Sequence, residues 1–475
     1  MGSLRMKVFK TYESNPGNFQ MKVFSSFGKS SETHSSQESM GEFQDSSSIA
    51  PSLLHRPLSP LHTFLSVAGI GPQTFNGALG IFEVSWRSLP AILTIFNCIY
   101  ITGLMTVTAL CIIFAFIGEE NPKEDARVES IKLIGVVIMC GYQLNAWVQV
   151  INALFASESV CRLLNTWDEL GTSMGIDPTK GVHLKASMQV GFMILFIIAM
   201  LVATAVGKPT FVLYVLDAVS VDMYLIPSDW MLPGSLYRKF IHIVVVLVSL
   251  HQFAINKGTV FSFTTHCHFL KAGMMTWNAY LSQALEDIWE KGEQDGLCYL
   301  LQSRRKLIQL VRTTEKIFSP ILQCYFATTV VIVCTELYLL AQRLKSKTRE
   351  MDEMIILCLF TVQTTSLLIH VSLAAGSVQE QAETSRDVLI RGLPVTASED
   401  DKFYMGELTR SVSIVSVYIS GGNFYAVNRP FILTVVSVVA SYFIVILQFM
   451  HSCEKDDPGE FSASANLSMG TTLFP

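Results

Sequence analysis

Charged residues are scarce in this sequence, and their scarcity excludes an ordinary soluble domain. They make up 15% of the 475 residues, whereas 50% are hydrophobic, and an average soluble chain carries roughly 25% charged residues. The charges lie between long apolar stretches, and stretches of about 18 residues or more are typical of membrane-spanning helices. Because the net charge is only −5 and no large basic region is present, the composition does not indicate a nucleic acid partner.

Motifs that would indicate an enzyme or a metal protein are also missing from the sequence. It contains no HExxH, no P-loop, no Gly-rich dinucleotide fingerprint and no pair of carboxylates within a predicted membrane span. None of the ten cysteines belongs to a CxxC or Cys/His metal-binding spacing. We therefore expect no enzyme activity, no cofactor and no bound metal ion.

Seven apolar stretches predict an all-α, polytopic membrane protein with seven transmembrane helices. They lie at about 91–117, 133–155, 186–206, 240–256, 319–341, 354–376 and 430–450. A further apolar stretch at 211–226 is too short to cross, and we interpret it as an extension of the third helix or an interfacial segment. Apolar residues at helical spacing over 299–317 predict that the fourth and fifth spans continue into the cytoplasm as helices.

Composition and pattern also predict how the chain is organised around these spans. The first 50 residues lack an apolar signal-peptide core and are rich in polar residues, so we expect residues 1–88 to be a largely disordered cytoplasmic segment. Residues 89–450 would form the membrane domain. An amphipathic helix at 404–420 would precede the last span, and residues 451–475 would form an extracellular tail.

The distribution of Lys and Arg favours a cytoplasmic N-terminus and an extracellular C-terminus. The three loops on the predicted cytoplasmic side hold 13 of these residues and the opposite loops hold 9. Asn466-Leu467-Ser468 is a glycosylation acceptor sequence. Modification of Asn466 would therefore report an extracellular C-terminus.

The last span carries the most specific motif in the chain. Ser441-Tyr442, five apolar residues and Gln448-Phe449 closely resemble the Thr-Tyr…Gln-Phe signature of the insect gustatory receptor family, with Ser441 in place of the Thr. The preceding segment 422–429 (GNFYAVNR) is similar to the residues that lead into the same helix in that family. More weakly, residues 84–89 (VSWRSL) resemble the sugar-sensing branch of the family, although an ordinary interfacial Trp/Arg anchor would look the same.

This resemblance implies a gustatory receptor in the plasma membrane of sensory neurons that is itself a ligand-gated, non-selective cation channel. Four like or related subunits would line one pore with their last helices. Gln448 and Phe449 would lie at the gate, with Ser441 and Tyr442 about two turns deeper; the alternative for Gln448 is that it only reaches the outer interface. The implied partners are a small-molecule tastant, with a sugar among the candidates, monovalent and divalent cations, and membrane lipid.

Polar residues inside the spans indicate where a ligand could bind. Glu336 is the only carboxylate within a predicted span, and Tyr338 would offer an aromatic face to a sugar or another small molecule. Tyr142, Gln143 and Gln363 lie at mid-membrane and are polar enough to join that pocket. For each of them the alternative is an ordinary hydrogen bond between helices.

Two other classes of membrane protein stay open at the level of the sequence. A divergent G-protein-coupled receptor would share the helix count, although the third span ends without Asp/Glu-Arg-Tyr and the seventh lacks Asn-Pro-x-x-Tyr. A transporter would be expected to show internal repeats, and the two halves of the chain are not convincingly similar. The side of the membrane that holds the C-terminus discriminates the first of these from the channel.

Overall fold

Long α-helices dominate the computed structural model. It describes residues 55–118, 126–175, 187–195, 236–291, 297–345, 351–390, 399–414 and 417–455, together with positions 184 and 198. Of the predicted third span only 187–195 and 198 are described, and they are helical. The stretch at 211–226, the segment before residue 55 and the tail with Asn466 lie outside the described residues.

The described chain begins with a small folded unit ahead of the first predicted span. It consists of helix α1 (His55–Val67) and an antiparallel hairpin of β1 (Gln73–Asn76) and β2 (Ile81–Val84). The side chain of Asn165 donates to the Phe82 carbonyl (2.9 Å) and accepts from the Phe82 N–H (2.8 Å), which fixes the hairpin to a later helix. The folded part therefore starts by residue 55, before the domain boundary that composition placed at 89.

Nine helices of the described chain are labelled α1 to α9, and a second hairpin precedes the last of them. After α1 and the first hairpin they are α2 (Leu89–Gly118), α3 (Ala126–Phe155), α4 (Ser157–Met174), α5 (Leu236–Lys291), α6 (Leu297–Lys345), α7 (Met351–Ile390), α8 (Glu399–Ile414), the strands β3 (Ser420–Gly421) and β4 (Tyr425–Ala426), and α9 (Arg429–Lys455). Each predicted span other than the third lies wholly within one helix.

Three helices are too long to lie within a bilayer. Helices α5 and α6 have 56 and 49 residues, which at 1.5 Å per residue makes them about 84 and 74 Å long, against a hydrocarbon core of roughly 30 Å. Helix α7, with 40 residues, also extends beyond its predicted span. The prediction that the fourth and fifth spans continue as helices is confirmed. By length and composition, three stretches of the described helices could cross a membrane: Leu89–Leu110, Leu297–Gln342 and Leu357–Ile390.

The core lies where α5, α6 and α7 pack together, with α4 and α8 against α6. Trp277 of α5 is fully buried and donates to the Leu300 carbonyl of α6 (2.9 Å). Gly273 lets α4 approach closely, because a Cβ there would lie 2.7 Å from the Trp167 ring. Arg304 is buried in the same region, with its guanidinium 4.9 Å from the Trp277 ring, a favourable cation–π geometry.

The segment before the last helix corrects one prediction. The amphipathic helix expected over 404–420 instead spans Glu399–Ile414, and Val417 and Ile419 are buried in a segment that is neither helix nor strand. The hairpin of β3 and β4 follows, with Gly422 (φ 59°) and Asn423 (φ 61°) in the left-handed region at its turn. A helix cannot pass through such a turn, so the chain changes direction before α9 begins.

Candidate functional site

The hairpin that leads into α9 is held by side chains of α6. Glu315 Oε1 accepts from the backbone N–H (3.2 Å) and the hydroxyl (2.5 Å) of Ser420. Gly422 N–H lies 2.8 Å from Ser319 Oγ and 3.1 Å from the Ser319 carbonyl. A Cβ at Gly422 would lie 2.1 Å from Gln323 Oε1, so this turn admits only glycine at its present distance from α6.

The first turn of α9 is tied to the neighbouring helices as well. Asn428 Oδ1 accepts from the Phe431 N–H (3.1 Å), a side-chain N-cap. Arg429 Nε lies 2.7 Å from Glu380 Oε1 of α7. Phe431 stacks on Tyr425 with ring centres 4.5 Å apart and meets Phe326 of α6 edge-on at 4.9 Å. The N-terminal end of α9 is thus fixed to α6 and α7.

Beyond Val435, which is buried, most of the described side chains of α9 are exposed within the single chain. Tyr442 is 59% exposed and Gln448 is also exposed. The hydroxyl of Ser441 donates a hydrogen bond to the Ser437 carbonyl within the helix (2.8 Å). The side chain of Phe449 lies outside the described residues. Large apolar side chains share this exposure: Leu433, Val436, Ile444, Val445 and Leu447. Large apolar side chains exposed together along one helix indicate a surface that lipid or another protein covers.

A second group of candidate residues meets in the interior of the helical bundle. Glu336 of α6 is only 4% exposed, interacts with the hydroxyl of Thr361 on α7, and lies close enough to Lys257 of α5 for a direct electrostatic attraction. Tyr142 of α3 interacts with the same carboxylate and hydrogen-bonds to Thr364 of α7. Four helices therefore bring polar groups to one buried cluster, and Glu336 Oε2 has no hydrogen-bond partner among the described residues.

Lys257 is the residue of this cluster that the sequence did not indicate. It is 4% exposed, and its ammonium lies 5.1 Å from the centre of the Phe253 ring. The predicted fourth span ended at residue 256, one residue before Lys257. The sequence did contain an indication that Lys257 is buried, because apolar residues resume after it and continue through Phe263.

The remaining residues predicted to bind ligand are placed differently from one another. Gln143, next to Tyr142, is fully buried. Gln363 is partly buried, and its Nε2 has no partner among the described residues. Tyr338 accepts a hydrogen bond from Gln342. Because positions two apart on a helix do not face each other, Tyr338 is not brought to the side of α6 that carries Glu336.

A group of amide side chains near the cluster of Glu336, Lys257 and Tyr142 links α3 to α5 and α6. Gln149 Nε2 donates to Asn256 Oδ1 (3.0 Å), and Asn256 Nδ2 donates to the Tyr142 carbonyl (3.2 Å). Asn145 donates to the Thr328 hydroxyl. These are hydrogen bonds of the interhelical kind that hold membrane bundles together. The described residues contain no group of three or more His, Cys, Asp or Glu side chains able to hold a metal ion.

Comparison with known proteins decides the family. The 7tm chemosensory receptor family matches residues 58–450, which is most of the chain. The chain belongs to this family. No curated protein matches it by sequence.

Solved structures show the same fold. The insect olfactory receptor OR5 from Machilis hrabei in complex with eugenol superposes with a TM-score of 0.57 at 15% identity, over 84% of this chain and 100% of the receptor. A second structure of the same receptor gives a TM-score of 0.55 at 16% identity, over 83% of this chain and 98% of the receptor. The resemblance seen in the last span is thus confirmed at the level of insect chemosensory receptors, and the alternative of a G-protein-coupled receptor is not favoured.

Proposed function

We propose that this receptor is a subunit of a ligand-gated, non-selective cation channel that detects a small-molecule tastant. The observation that carries the proposal is the arrangement of α9. Its first turn is fixed to α6 and α7, its hairpin is held by Glu315 and Ser319, and the rest of the helix presents apolar side chains that the described part of the chain leaves exposed. Four copies that pair along α9 would cover this surface and enclose a central passage.

The gate of such a channel would be the ring of Phe449 side chains, with Gln448 beside it. Four phenyl groups make an apolar constriction that closes by dewetting, whereas an amide next to it offers polar atoms to a hydrated cation. Tyr442 and Ser441 would position the helix two turns away. The family membership and the motif from Ser441 to Phe449 support this assignment.

The ligand would bind near the buried polar cluster of Glu336, Lys257 and Tyr142. A pocket with a carboxylate, an ammonium and a phenol can hydrogen-bond a polyhydroxylated molecule such as a sugar, and Gln143 and Gln363 would extend it. Binding there gates the channel only if the cluster has a different affinity for ligand in the closed and open states. The cluster joins α3, α5, α6 and α7, and α6 and α7 are the helices that hold the start of α9.

The test is whole-cell current in cells that express this chain, with G-protein signalling blocked, during application of sugars and bitter compounds. The Phe449→Ala variant removes the apolar ring, so we expect current without ligand to rise about fivefold or more, the change that roughly 1 kcal/mol in the open–closed equilibrium produces. Phe96→Ala is the matched control, because Phe96 is an exposed aromatic residue of α2. If Phe449→Ala reaches the cell surface and behaves as Phe96→Ala does, the gate assignment is wrong.

A further inference from the structure

A cavity of about 80 Å³ lies between the N-terminal unit and the helical bundle. Its wall is formed by α1, the first hairpin and helices α3 to α6, and most of it is apolar, with side chains such as Leu58, Phe82 and Phe318. Neither Glu336 nor Lys257 lines it. One water molecule needs only about 10–15 Å³ of cavity volume measured in this way. The cavity therefore has room for a molecule of several heavy atoms.

Two side chains of this wall carry a buried atom that has no hydrogen-bond partner among the described residues. These atoms are Gln149 Oε1 and His266 Nε2, and the two residues are 1% and 4% exposed. An unsatisfied buried polar atom costs about 1–3 kcal/mol. A molecule in the cavity that satisfied either atom would regain part of that free energy.

The surrounding hydrogen bonds identify both free atoms as acceptors. Asn256 Nδ2 donates to a backbone carbonyl, so Asn256 Oδ1 faces Gln149 and accepts from its Nε2, which leaves Gln149 Oε1 free. His266 Nδ1 lies 2.7 Å from the Ser262 carbonyl, which can only accept, so Nδ1 carries the hydrogen. In the neutral ring Nε2 is then a lone-pair acceptor.

His266 lies ten residues beyond the predicted fourth span, and its burial favours the neutral ring. The pKa of His266 is lowered because a charged imidazole would lose its hydration there, and the hydrogen bond to Ser262 opposes this only in part. Among the described lining residues, the other titratable one is His62, which hydrogen-bonds to the Gln73 carbonyl (2.9 Å). The described lining residues thus offer no charge with which a charged ligand could pair.

We infer that this cavity is a second binding site, which takes a small uncharged molecule with an apolar body and one hydrogen-bond donor, as in a short-chain alcohol. The apolar wall would bury the hydrocarbon part, at about 25 cal/mol per Å² of apolar surface removed from water. The hydroxyl would donate to Gln149 Oε1 or His266 Nε2. A molecule of equal size without a donor would leave both acceptors unsatisfied.

The position of the cavity connects it with the last helix. Ile317 and Phe318 of α6 line it, and the next residue, Ser319, accepts the hydrogen bond of Gly422 in the hairpin before α9. Pro320 follows and lacks the N–H that would continue the α6 hydrogen-bond ladder. The cavity therefore borders the turn of α6 that holds the hairpin, so an occupant that shifted this turn would change how α9 begins. This effect on gating rests on the proposed channel function, whereas binding itself does not.

Photolabelling of the purified full chain in lipid nanodiscs tests the binding site without any need for channel activity. The probe is a diazirine derivative of 1-butanol, and adducts are mapped by mass spectrometry. We expect adducts within 58–65, 149–164, 259–266 and 317–321. An excess of 1-butanol should prevent them, whereas its isomer methyl propyl ether, which has no donor, should compete about fivefold less well, the ratio expected for one hydrogen bond.

Two substitutions of alanine by leucine provide the matched comparison. Ala153 lines the cavity, so Ala153→Leu should fill it and abolish the adducts. Ala109 is exposed on α2, so Ala109→Leu should leave them unchanged. If Ala153→Leu does not fold, judged by its thermal unfolding midpoint, Ala156→Leu at another lining position replaces it. Adducts that persist in the filled variant, that never appear in these segments, or that the ether prevents as well as the alcohol would overturn the inference.

Discussion

At the scale of single residues, the most informative contact is the approach of Lys257 to Glu336. Both side chains are 4% exposed, and each lies where an isolated charge would lose most of its hydration. The attraction between them, the Thr361 hydroxyl and the Phe253 ring offset that loss. The stability of the bundle therefore depends on the two charges being present together.

A double-mutant cycle measures this dependence. Glu336→Leu leaves Lys257 buried without its counter-charge, and we expect it to lower the free energy of unfolding by at least about 2 kcal/mol. Lys257→Met should have a similar effect, and the double variant should cost less than the sum of the two by about 1 kcal/mol or more. Thermal unfolding of the solubilised protein, followed by size-exclusion chromatography, gives all four values.

The ion pair between Lys306 and Glu169 is the control for this cycle. Its atoms lie 2.7 Å apart, but the two side chains are 42% and 68% exposed. Solvent screens such a pair, so Glu169→Leu should cost less than about 1 kcal/mol. Equal costs at Glu336 and Glu169, or strict additivity in the cycle, would show that Lys257 and Glu336 do not stabilise each other.

At the scale of elements, the hairpin of β3 and β4 controls how α9 begins. Gly422→Ala forces a Cβ into the left-handed region, at about 1–2 kcal/mol, and brings it against Gln323. We expect a lower thermal unfolding midpoint than in the parent chain. Gly406→Ala, in the middle of α8 where a Cβ meets no atom within 4 Å, should instead gain about 0.5–1 kcal/mol. Equal effects of the two substitutions would show that the hairpin does not need its present turn.

The same hairpin shows a limit of periodicity as a guide to secondary structure. Val412, Val415 and Ile419 recur at helical spacing, and this spacing predicted a helix to residue 420. The described helix ends at Ile414, residues 417–419 are neither helix nor strand, and the Ile419 carbonyl accepts from the Val427 N–H (2.8 Å). The spacing of apolar residues indicated that Ile419 is buried, but it did not indicate the backbone conformation of that segment.

At the scale of the whole molecule, the side of the membrane that holds each terminus stays a prediction. If the C-terminus is extracellular, Asn466 should be glycosylated in cells, and treatment with an endoglycosidase should increase the mobility of the parent chain but not of Asn466→Gln. Gln37→Asn, in the Asn466→Gln background, creates an acceptor sequence in the predicted cytoplasmic segment. It should remain unmodified, and glycosylation there would reverse the proposed orientation.

The sequence by itself determined the helical class, six of the seven predicted spans as parts of described helices, the continuation of α5 and α6 beyond the bilayer, and the motif of the last span that identified the family. These features are local, because hydropathy and helical spacing depend on neighbouring residues along the chain. The sequence also picked out Glu336 and Tyr142, since polar residues inside apolar stretches are conspicuous.

Only the tertiary structure decided which side chains meet. The approach of Lys257 to Glu336 and the cavity beside Gln149 and His266 both depend on how helices are rotated and packed against each other. That rotation is fixed by contacts between residues far apart in the chain, such as Asn165 with Phe82 and Glu315 with Ser420. The hydropathy of one helix does not indicate how a neighbouring helix is rotated against it. Sites between helices can therefore be identified only in the assembled structure.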